Sequence, residues 1–136
     1  MLTSRAKDIF NTKIKAIGGL NPPTDAELNE FLYEAMIYAA TKCIPNELLR
    51  SSENENETAI LRFIGGGDFI VLPEMPNVSD DLQHLQIDEE LSYAVINKAV
   101  SLFCRDLNHI RKFENEADNA INRYKANYSK IKGKGI

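Results

Sequence analysis

Four stretches of this chain repeat their apolar positions with the period of an α-helix, and one stretch, between the second and the third, does not. From Ser4 to Ile17, the residues Ala6, Ile9, Phe10, Ile14 and Ile17 form a stripe at 3-4 spacing, interrupted only by Lys13. Gly18-Gly19 predicts its end, because glycine adopts the left-handed conformation past a last helical turn without strain. Leu20-Asn21-Pro22-Pro23 reads as a rigid turn. Thr24-Asp25-Ala26-Glu27 then reads as a capping box, with Thr24 accepting from the Glu27 N–H while Glu27 reaches back. The second helix is expected to run to about Cys43, with Leu28, Phe31, Leu32, Ala35, Met36, Ala39 and Cys43 inward. Tyr33, Tyr38 and Ala40 widen that stripe, which predicts burial on more than one side. A third helix is expected from Asp88, whose carboxylate would cap it, with Glu89 and Glu90 well placed on the first turn's dipole. Leu91, Ala94, Val95, Lys98, Ala99, Leu102, Phe103 and Leu107 mark its inner face. After a break near Asn108, a fourth helix from about Ile110 to Ile131 is expected to bury Phe113, Ala117, Ala120, Ile121, Tyr124 and Tyr128.

The exceptional stretch is Thr58 to Met75, where two short β-branched and aromatic runs flank Gly65-Gly66-Gly67-Asp68. That is the pattern of a β-hairpin, with strands at Ala59 to Ile64 and Phe69 to Leu72. A half-exposed hairpin alternates apolar and polar residues, and apart from Arg62 this one does not. Both faces therefore need cover. Strict alternation puts Leu61, Phe63 and Val71 on one face, expected on the helices, and Ile60, Ile64 and Ile70 on the other, expected against another chain, with the reverse assignment as the alternative. Before the hairpin, Pro45 stops the second helix, Glu47 to Leu49 add at most a half turn, and Ser51 to Glu57 (SSENENE) reads as a mobile acidic loop. After it, Pro73, Pro76 and the polar run Asn77 to Gln86 form a linker with room for a turn or a short strand at Gln83 to Ile87. The expected fold is mainly α: one domain over residues 1–136, a four-helix bundle-like body with a hairpin insertion at about 58–76.

Composition changes this picture in one place. At 136 residues with 43% hydrophobic and 26% charged residues, the chain fits a single globular domain. No apolar run approaches the roughly 20 residues that span a bilayer, and the charged first helix does not read as a signal peptide, so a cytoplasmic setting without a membrane is expected. Net charge is −4, yet no acidic residue follows Asp118, while Arg123, Lys125, Lys130, Lys132 and Lys134 contribute +5 and leave the preceding chain at −9. Such a split predicts a basic, flexible C-terminal tail over about 130–136 that meets an acidic partner, or is simply a solvated end.

Candidate chemistry is sparse. The glycine-rich turn lacks the Lys-Ser/Thr pair and following helix of a phosphate loop. His84 and His109 have no second ligand at metal-binding spacing, and Asp80-Asp81 and Asp88-Glu89-Glu90 lack the alternating oxygens of a calcium loop. Cys43 and Cys104, without CxxC spacing, are expected as two buried thiols. No nucleophile has an adjacent base in a readable motif, so no catalytic residue, cofactor or metal is expected and the chain does not read as an enzyme.

The order of parts carries a resemblance. TDAELNEFLYEAMIYAATKCIP, FIVLPEMPNV and IDEELSYAVINKAVSLFCRDLNHIRKFENEADNAINRYKANYSKI together resemble the head–tail connector (adaptor, or head-completion) proteins of tailed bacteriophages. The shared features are a long amphipathic second helix, a strand leaving through Leu-Pro, and a helix pair with small residues and Tyr or Phe at its end. The acidic SSENENE segment is not a hallmark of that family. The resemblance implies a structural virion protein of the neck, assembled in the host cytoplasm. It implies a homo-oligomeric ring, of twelve subunits by analogy, that docks on the portal protein, meets a tail-completion or tail protein, and surrounds DNA passing without sequence reading. In such a ring the interfaces are heterologous, which suits a hairpin apolar on two faces. Lys130, Lys132, Lys134 and Ile136 would then form the portal-docking segment, and Ile60, Ile64 and Ile70 the subunit interface. The alternative is a small cytoplasmic helical interaction or regulatory protein acting as a dimer.

Overall fold

In a computed structural model, which describes residues 1–51 and 59–127, four α-helices are present among the described residues: α1 (Thr3–Ile17), α2 (Asp25–Lys42), α3 (Ser92–Phe103) and α4 (Leu107–Asn127). A small antiparallel sheet lies between α2 and α3, so the fold is mainly α with a β insertion where the sequence predicts it. The SSENENE loop beyond Ser51, Tyr128 and the tail with Lys130, Lys132, Lys134 and Ile136 lie outside the described residues.

The bundle is organised around α3. Its Ala94, Val95, Ile96, Ala99 and Val100 are all buried, so the helix is covered over most of its circumference rather than along one stripe, and it packs against α1, α2 and α4. Lys98, expected on the buried face, has its side chain only 12% exposed; its ammonium sits 4.1 Å over the Tyr38 ring and 3.6 Å from the Glu114 carboxylate. Phe10 of α1 and Phe31 of α2 both meet Phe103 edge-on, at 5.7 and 5.9 Å between centroids. The predicted capping box opens α2: Glu27 N–H donates to Thr24 Oγ1 at 3.2 Å and Thr24 N–H to Glu27 Oε1 at 2.9 Å. Leu107 departs from expectation. It is the first residue of α4 and 57% exposed, because the break between α3 and α4 falls at Cys104 to Asp106 and Asp106 caps α4 through the Asn108 N–H at 2.8 Å.

The linker after the sheet is tied to the N-terminal strand of chain rather than loose. Leu2 and His84 form an antiparallel bridge, with Thr3 N–H donating to the Gln83 carbonyl at 2.9 Å and Leu85 N–H to the Met1 carbonyl at 2.8 Å. The short strand expected at Gln83 to Ile87 is thus a single bridge. Buried Thr3 adds a hydroxyl bond to the Asn77 carbonyl at 2.9 Å.

Among the described residues the sheet has three strands, not two: β1 (Leu49–Ser51), β2 (Ile60–Gly65) and β3 (Asp68–Val71), in the order β1-β3-β2. Gly66 and Gly67 make the β2–β3 turn with φ of +65° and +83°, the two positive values that a two-residue hairpin turn demands. Leu49 pairs with Ile70 and Ser51 with Asp68, placing β3 in the centre. Ile60 opposes Val71 and Arg62 opposes Ile70, so Leu61 is an extra residue in β2; Phe63 opposes Phe69 and Gly65 opposes Asp68, so Ile64 is another.

The alternation used to assign faces fails because β2 carries two bulges and lies at an edge of the sheet, while central β3 buries Phe69, Ile70 and Val71 alike. Ile70, expected at a subunit interface, is 0% exposed and belongs to the chain's own core, and Phe63, expected inside, is 65% exposed. Val71 is buried as expected. Ile60 and Ile64 are half-buried against a second apolar cluster formed by Ala40, Ile44, Leu48, Phe69, Ile70 and Val71. Central β3 is covered on both faces within one chain. Ala39 belongs to the bundle core and its neighbour Ala40 to the sheet core, so the last turns of α2 serve both.

Candidate interaction surface

Arg62 of β2 fixes the sheet to α2. Its Nε donates to the Ala40 carbonyl at 3.0 Å and its Nη2 to the Cys43 carbonyl at 2.7 Å. Carbonyls at a helix C-terminus lack intrahelical partners and carry the negative end of the dipole, so a guanidinium is the natural group to receive them. With Arg62 held inward, Phe63 on the following position stands out to solvent, its ring 6.1 Å from that of buried Phe69. A large aromatic exposed beside a glycine turn, on a strand whose base is anchored, is a rigid apolar projection rather than a frayed end.

A second anchor joins three segments distant in sequence. Asp88 is buried and accepts the Asn46 N–H at 3.1 Å, the Glu47 N–H at 2.8 Å and the Tyr124 hydroxyl. The expected cap of α3 is therefore a correction: Asp88 makes no side-chain cap to the turn it precedes, Glu89–Leu91, and its carboxylate instead serves the turn Asn46–Leu48 that follows Pro45. The Tyr124 hydroxyl also receives the Asn46 N–H at 3.1 Å. Burial, then the bond to Asp88, raises the Tyr124 phenol above its ordinary range. This ties the C-terminal part of α4 to the start of the sheet. Sequence reading places Tyr124 in the core without its partners, which lie 36 and 78 residues away.

Reactive groups are few among the described residues. Burial pushes the Cys43 thiol up to about 12, with the Asp88 charge adding, and its Sγ donates to the Ala39 carbonyl at 3.2 Å. Burial also raises Cys104. Thiols held protonated in this way are poor nucleophiles. No group of three His, Cys, Asp or Glu side chains among the described residues is placed to hold a metal ion. A cavity of about 550 Å3 beside Met1, lined by Glu47, Glu74, His84 and Glu89, is acidic and shallow. No described helix is long and apolar enough to cross a membrane.

Of the residues expected to act, the structure brings Ile60 and Ile64 to the flank of the sheet and removes Ile70 from its surface. Phe63 is the surface residue that alternation missed. No local signal marked it: Phe63 opposes buried Phe69, and its exposure goes with its place on edge strand β2. Searches against family models, characterised proteins and solved structures yield no match to this chain.

Proposed function

We propose that this protein is a head–tail connector of a tailed bacteriophage, a non-enzymatic virion protein of the neck that assembles in the host cytoplasm as a ring beneath the portal. The observation that carries the reading is Phe63, 65% exposed on a strand anchored by Arg62. A ring of identical subunits, twelve by analogy with the resembled family, needs one rigid apolar projection per subunit to enter its neighbour, and the two contacting surfaces differ. Phe63, with half-buried Ile60 and Ile64 at its flank, fits that role. The basic segment with Lys130, Lys132, Lys134 and Ile136 would dock on the portal, with lysines near DNA attracted to phosphate whatever its sequence. A tail-completion protein would close the other side.

The test is assembly on a portal. Phe63→Asp is expected to leave the monomer within about 0.5 kcal/mol of wild type, as for an exposed site, and to abolish ring formation seen by mass photometry with portal added. Truncation before Lys130 is expected to lose portal docking while the monomer stays folded. A stable dimer indifferent to any portal, or a Phe63→Asp protein that still forms rings, overturns the reading and favours a dimeric regulatory protein.

A further inference from the structure

Lys13 occupies a position in the α1 stripe where burial favours an apolar residue. Its Nζ lies 5.9 Å from the centroid of the Phe113 ring on α4, and the Nζ of Lys112 lies 5.3 Å from the same centroid. Lys13, His109, Lys112 and Phe113 line one cleft of about 380 Å3 between the C-terminal half of α1 and the first turns of α4, with Glu116 at its border. Among the described residues, neither ammonium forms an ion pair, Glu116 included. Two like charges gathered at one aromatic ring repel each other, and the attraction of each to the ring only partly offsets this. An anion in the cleft would lower that repulsion.

We propose that the cleft binds a phosphate group, with Lys13 and Lys112 as its charge partners and His109 as an N–H donor. Lysine is a flexible point charge suited to phosphate, and a tetrahedral anion carries oxygens facing several directions, so it can meet three donors arriving from two helices. The phosphate is either inorganic or part of a nucleic-acid backbone, and the cleft stands whether or not the protein is a connector.

The experiment follows the ring protons of both histidines by NMR as inorganic phosphate is added to the full chain, and repeats the titration with a duplex DNA oligonucleotide read by fluorescence anisotropy. The His109 resonance is expected to move saturably while that of His84, outside the cleft, stays still. Lys13→Gln and Lys112→Gln should each weaken binding about tenfold, as loss of a charge-assisted hydrogen bond does. Glu116→Gln should tighten it, a response that a merely structural role would not produce. Lys112 is exposed, so its variant tests the site without disturbing the core. If the oligonucleotide binds and each lysine substitution lowers the salt slope by about one, the phosphate belongs to nucleic acid; if only inorganic phosphate binds, the ligand is small. A His109 signal that does not saturate, or affinity indifferent to both lysine substitutions, overturns the proposal.

Discussion

Replacing Tyr124 by Phe removes one oxygen from a site where three chain segments meet, and the consequence can be worked out atom by atom. Asp88 is 6% exposed and accepts from the Asn46 N–H, the Glu47 N–H and the Tyr124 hydroxyl. A hydrogen bond to a charged group contributes about 1.5–3 kcal/mol. The Asn46 N–H lies 3.1 Å from both the hydroxyl and the carboxylate, so it keeps an acceptor when the hydroxyl goes, and the cost should fall near the middle, about 2 kcal/mol. Asp88→Ala takes the carboxylate from three donors at once and should cost about 4 kcal/mol. In the double variant the bond between the two side chains is lost only once, so the cycle should show coupling of about 1–2 kcal/mol. Urea unfolding followed by circular dichroism measures each step, provided the denaturant slope stays constant. A Tyr124→Phe protein within about 0.5 kcal/mol of wild type, or singles that add to the double within that margin, would refute the account of this site.

Other outcomes follow from the same structure. Arg62→Leu should cost about 2–3 kcal/mol by removing two charge-assisted bonds, and should speed hydrogen exchange of β2 and β3 amides while leaving those of α1 and α4 slow; a uniform change would count against a sheet held by this residue. Stability should fall on the alkaline side. The Cys43 thiol is pushed from 9.0 up to about 12 by burial and then by Asp88, and Tyr124 and Tyr38 are raised above 10.0, each by burial first. The native state thus holds protons that the unfolded chain releases, so stability is full below about pH 9 and declines above it, by about 1.4 kcal/mol per pH unit for each proton withheld. Replacing both cysteines by Ala should move the onset up to about pH 10, where the tyrosines begin; an unmoved onset would show that the thiols play no part. Ile70→Asp should unfold the monomer, since it places a charge in the sheet core, and a folded, soluble Ile70→Asp protein would contradict the covered β3.

What was legible in the sequence was local. The capping box at Thr24 and Glu27 needs only four consecutive residues, the Gly66-Gly67 turn needs two, and the inner faces of α1, α2 and α4 follow from a period that the chain itself displays. What was not legible depends on residues far apart. Leu49-Arg50-Ser51 is too short to announce a strand and becomes β1 because β3 offers it an edge. Asp88 carries every local mark of a helix cap, yet the backbone of Asn46 and Glu47 binds its carboxylate instead. Faces in the hairpin failed for a narrower reason: alternation presumes one residue opposite one, and bulges at Leu61 and Ile64 break that rule twice in six residues. The candidate surface suffered most: Ile70 lies in the central strand, covered on both faces, and Phe63 in an edge strand.

The anchor at Tyr124 also has a mechanical side. A load applied to the chain beyond Asn127 travels one turn along α4 and arrives at a hydroxyl bonded to Asp88, just ahead of α3, and to the backbone after α2. Tension is then shared between the middle of the helical body and the root of the sheet, and α4 cannot peel from its end without first breaking a buried contact. A protein pulled by its C-terminal segment would therefore resist as a whole and yield abruptly, instead of unwinding turn by turn.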